Sequence, residues 1–60
     1  MEINLAKVED KFPGAIRAFL LVSLLERTVF SVEEDGCLYA ETMSGCRYTW
    51  SSEEGAWFDS

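Results

Sequence analysis

Sixty residues with eleven acidic and five basic side chains, no histidine and a net charge of -6 describe one small acidic domain spanning residues 1–60. That balance argues against direct binding to a nucleic-acid backbone or an anionic membrane, and it leaves basic proteins as the charge-complementary partners. A chain this short hides only about 60% of the surface that its unfolded form exposes. With no histidine and one possible cysteine pair to staple it, self-association is the expected source of added stability.

The chain opens with MEINLAKVEDKF. Ile3 and Leu5 alternate as in a short strand, whereas Leu5, Val8 and Phe12 recur with helical spacing; a strand followed by a loop is the expectation. No basic n-region precedes the first apolar segment, which starts late for an export signal, so a cytoplasmic protein is the default.

PGAIRAFLLVSLLER, residues 13–27, is expected to form the central helix, with Pro13 in its first turn, where a missing N–H costs nothing. Ile16, Leu20, Ser23, Leu24 and Arg27 make one stripe, yet Leu21, Val22 and Leu25 fall on other sides. One sheet covers one helix face, so the second apolar side calls for a partner helix or subunit, or for cover by Ile3, Leu5, Val8 and Phe12. The segment AIRAFLLVSLL is shorter than the roughly 20 residues that a membrane-spanning helix needs.

From Thr28 the apolar period changes to two. TVFSVEE, CLYAETM and CRYTW are separated by Asp35-Gly36 and Ser44-Gly45, and Glu53-Glu54-Gly55 precedes AWF. This predicts a three- or four-stranded antiparallel β-meander under one helix, which a short N-terminal strand could join: an α+β domain. Two-residue turns at Asp35-Gly36 and Ser44-Gly45 would set Val32 against Tyr39, Phe30 against Glu41, Tyr39 against Trp50, Glu41 against Tyr48 and Met43 against Cys46. One face would then carry Phe30, Val32, Cys37, Tyr39, Met43, Cys46, Tyr48 and Trp50, with the helix packed on it. Trp57 and Phe58 must point to opposite faces.

In this register Cys37 and Cys46 stand about 20 Å apart, too far for a disulfide. They match neither a metal-site nor a C-x-x-C redox spacing, so two buried small hydrophobes is the expectation. Glu41 alone brings a carboxylate to the apolar face, where it could serve as a general acid or simply accept a hydrogen bond from tyrosine or Arg17. Without histidine or a phosphate-cradling loop, no catalytic or cofactor set assembles, and a noncatalytic protein is expected.

The first and third turns of a meander share one end. Glu33, Glu34, Asp35, Glu53 and Glu54 are expected to gather there, with Glu9 and Asp10 beside them and only Lys7 and Lys11 to offset the charge. Solvated hairpin loops would account for such an end. So would a negative surface that docks on a basic protein, as an inhibitor occupying a nucleic-acid-binding patch would. In size and charge the chain resembles small acidic proteins of phages and mobile elements. The other expectation is a homo-oligomeric structural protein, most simply a homodimer, with Leu21, Val22, Leu25 and either Trp57 or Phe58 at its interface.

Overall fold

The computed structural model describes residues 1–20 and 27–60. Pro13 and Gly14 divide the N-terminal region into two helices, where the sequence suggested one beginning at Pro13. Asn4 caps the first, α1 (Leu5–Lys11), its Oδ1 accepting from the Lys7 N–H at 2.9 Å. Phe12, placed before proline, leaves helical geometry at φ -131° and ends α1. Gly14, at φ 86°, then starts α2 (Ala15–Phe19). The expected loop over residues 5–11 is thus a helix, because a good N-cap and an unbroken run of helix formers outweigh the short apolar alternation. The part of the proposed helix over residues 21–26 lies outside the described residues.

Five strands follow one another in space as in sequence: β1 (Glu2–Ile3), β2 (Val29–Val32), β3 (Leu38–Glu41), β4 (Arg47–Ser51) and β5 (Ala56–Asp59), all antiparallel. The mixed α+β class and the antiparallel meander are therefore as expected, with the short N-terminal strand added as a fifth.

The register differs from expectation by one residue in each of the first two hairpins. Val32 pairs with Leu38 and Phe30 with Ala40; Ala40 pairs with Tyr48 and Glu41 with Arg47. Both loops hold three residues, not two. Glu33 N–H donates to the Cys37 carbonyl and Gly36 N–H to Glu33, while Thr42, Cys46 and Gly45 repeat the same pair of bonds. Gly36 and Gly45 take φ values of 79° and 93°, the left-handed bulge position that such loops require. A two-residue turn would have forced Asp35 to positive φ, and Arg27 is the only non-glycine residue with positive φ among the described residues.

Two slips cancel across β4, so only β3 is reversed. Leu38 and Ala40 face inward and Tyr39 and Glu41 outward, which spares the core a carboxylate. Val8, Ala15, Phe19, Phe30, Leu38, Ala40, Trp50 and Trp57 form that core, with Ile3, Phe12, Ile16, Val32 and Tyr48 packed around it. The N-terminal segment thus covers the inner face with Val8, Ile3 and Phe12, while Leu5 stays exposed. Phe19 is the hub: its ring meets those of Phe30, Tyr48 and Trp57 edge-on at 5.4, 5.9 and 5.2 Å. Trp57 Nε1–H donates to the Ala15 carbonyl at 2.8 Å and ties β5 to α2.

Candidate interaction surface

The turns β2–β3 and β4–β5 lie at one end of the sheet, about 10 Å apart by strand spacing. Their five carboxylates, Glu33, Glu34, Asp35, Glu53 and Glu54, are all exposed. They are not equivalent. Asp35 Oδ1 accepts the Cys37 N–H and Oδ2 the Tyr39 hydroxyl, both at 2.9 Å. Hydrogen bonds from the Cys37 backbone and then from Tyr39 hold its carboxyl below the ordinary 3.8. The same contact, with some burial, raises the Tyr39 phenol above 10.0.

Arg47 crosses the outer sheet face to reach this end. Its guanidinium lies 4.5 Å above the Tyr39 ring centre, and Nη2 pairs with Glu33 Oε1 at 3.0 Å. This is the ion pair found among the described residues; at its exposure it adds little stability, but it fixes where positive charge sits. The N-terminal ammonium donates to the Val32 carbonyl at 2.8 Å, next to Glu33. The acidic end is therefore offset by Arg47 and the amino terminus, which the sequence reading did not assign to it. Glu34, Glu53 and Glu54 make no side-chain hydrogen bond or ion pair among the described residues.

Glu9 and Asp10 are exposed on α1, and no hydrogen bond or ion pair joins them to the turns. The start of α2 does lie toward this end, since Ala15 is bound by Trp57, two residues after the third turn. Of the aromatics considered for an interface, Trp57 is buried at 8% exposure and Phe58 stands on the outer face at 47%. Leu21, Val22 and Leu25 lie outside the described residues.

Glu41 does not occupy the buried setting expected for it: it is exposed beside Arg47 and Val29 on the outer face. Cys37 and Cys46 are free and exposed, not buried as expected, because each closes a three-residue loop at opposite ends of β3. Among the described residues, no group of histidine, cysteine and carboxylate side chains converges as a metal site would, and no helix is long and apolar enough to cross a membrane. Sequence reasoning missed Arg47 and Tyr39 as parts of this surface. The alternation of β3 around Leu38 and Ala40 was the signal that could have placed them outside. Comparison with known protein families, with characterised proteins and with solved structures finds no match.

Proposed function

We propose that this chain is a noncatalytic, acidic protein-binding module whose turn-bearing end docks on a basic patch of a partner, acting as an inhibitor where that patch serves nucleic acid. The observation that carries this reading is the placement of Glu34, Glu53 and Glu54 together at one end of the sheet, exposed and without side-chain partners among the described residues. Their separation is comparable to the Debye length of about 8–10 Å, so they act on a partner as one field. Glu33 and Asp35 serve the chain's own structure and are less available.

The test is affinity capture with the whole chain, followed by the triple charge reversal Glu34→Lys, Glu53→Lys, Glu54→Lys. These side chains are exposed and hold no bonds among the described residues, so the fold should survive. A basic partner captured by the native chain should be lost on reversal and weakened by salt. Equal capture by both proteins would sink the reading. A homo-oligomeric structural protein is the second reading, favoured by the exposure of Leu20, Val29 and Phe58 at 55%, 44% and 47%.

A further inference from the structure

The two edges of the sheet are protected unequally. β1 is two residues long, whereas β5 runs for four, without proline, lysine or bulge, and Asp59 is its one charge. Ser60 N–H donates to the Arg47 carbonyl at 3.0 Å. Antiparallel ladders alternate, so Ala56 and Phe58 bond inward to β4, and Trp57 and Asp59 aim their N–H and C=O groups at the open edge. No described residue meets them. Phe58 stands between these two residues, its side chain half exposed on the outer face.

We propose that the β5 edge pairs with the β5 edge of a second copy, antiparallel, about a two-fold axis at Phe58. This arrangement is set by the parity of the ladder. Trp57 of one copy would exchange both backbone bonds with Asp59 of the other, and the reverse, giving four hydrogen bonds. Phe58 then faces Phe58 of the second copy as a non-hydrogen-bonded pair, the closer of the two pair types, so its exposed ring finds an apolar neighbour. A second copy fits because the edge is complementary to itself: an outward-bonding pair flanking one central aromatic is what a two-fold axis requires.

The pairing opposes charge. Each copy carries -6, and the two Asp59 side chains come within about 8 Å of one another. Self-association therefore strengthens with salt, opposite to docking on a basic partner, so the two proposals fail independently.

The experiment is sedimentation equilibrium of the whole chain in reducing buffer, from about 10 µM to about 1 mM, a range suited to a small interface. A concentration-dependent dimer is expected, tightening about threefold or more between about 50 and 500 mM salt. Asp59→Asn should tighten it further. Asp59→Pro removes an N–H that pairing with β4 does not use but pairing with a second copy needs, so this variant should keep its near-ultraviolet spectrum and remain monomeric. Phe58→Lys, at an exposed position, should weaken the dimer about tenfold or more and decides the matter if the proline variant misfolds. A monomer under all conditions for the native chain and Asp59→Asn overturns the proposal. So does a dimer that survives both Asp59→Pro and Phe58→Lys unchanged.

Discussion

Phe19 to leucine tests whether one ring organises the core. Phe19 is fully buried and touches three aromatic rings edge-on, at 5.2 to 5.9 Å. Each such pair contributes about 0.5–1.5 kcal/mol beyond area burial; sharing one ring makes them less than additive, so about 1.5–3 kcal/mol is lost with the geometry. Leucine is about 25 Å³ smaller, which at about 24 cal/mol per Å³ adds about 0.6 kcal/mol. The total of about 2–3.5 kcal/mol is large against the roughly 3–9 kcal/mol available to a sixty-residue domain. Urea unfolding followed by tryptophan fluorescence should show the midpoint falling by about 2–3.5 M, since a chain this small has a slope near 1 kcal/mol per M. A change below about 0.5 kcal/mol, with the slope unaltered, would refute the assignment of Phe19 as the hub.

Trp57→Phe removes the donor to the Ala15 carbonyl and part of a ring edge, and the same urea experiment should show a loss of about 1–2.5 kcal/mol. A loss confined to a few tenths would mean that this bond does not tie β5 to α2. The Asp35–Tyr39 bond predicts two pH windows. Asp35 has a depressed folded pKa, so its contribution is present above the unfolded value of 3.8 and vanishes as pH falls through the folded one. Tyr39 has a raised pKa, so its contribution is full below 10.0 and is lost as pH rises through the folded value. Carboxyl shifts in NMR should place Asp35 below 3.8, and phenolate absorbance of Asp35→Asn should move the Tyr39 transition down toward 10.0. The Tyr48 transition, raised chiefly by burial, should remain where it is.

The change of apolar period at residue 28 and the spaced glycine turns made the meander legible, because both reflect local rules that tertiary packing rarely overrides. Loop length was harder. Asp35-Gly36 suits a two-residue turn in isolation, but the same glycine serves as the bulge residue of a three-residue loop. The choice depends on which face of β3 is better buried, and Leu38 with Ala40 is apolar where Tyr39 with Glu41 is not. That comparison was available from the sequence. The division at Pro13 was also readable, since Phe12 before a proline and Gly14 after it both disfavour continuous helix. The reach of Arg47 to Glu33 was not readable, because it joins residues two strands apart across a twisted sheet. The acidic end followed from topology alone, yet its internal pairing did not.

The proposed dimer and the proposed docking end constrain one another. Antiparallel pairing of β5 sends the third turns of the two copies in opposite directions from Phe58, so their acidic ends stand roughly 25–30 Å apart. That exceeds the Debye length of about 8–10 Å at ordinary ionic strength. The two acidic ends therefore barely repel one another, and the salt sensitivity of pairing concentrates in Asp59 near the axis. It also follows that Glu34→Lys, Glu53→Lys and Glu54→Lys should leave self-association nearly unchanged while abolishing partner capture, whereas Asp59→Pro should do the reverse at each single end. A partner with two basic patches would bind the native dimer more tightly than the Asp59→Pro monomer through linked occupancy, and a partner with one patch would not distinguish them. Measuring both variants against the same captured partner separates charge at the turns from pairing at the edge.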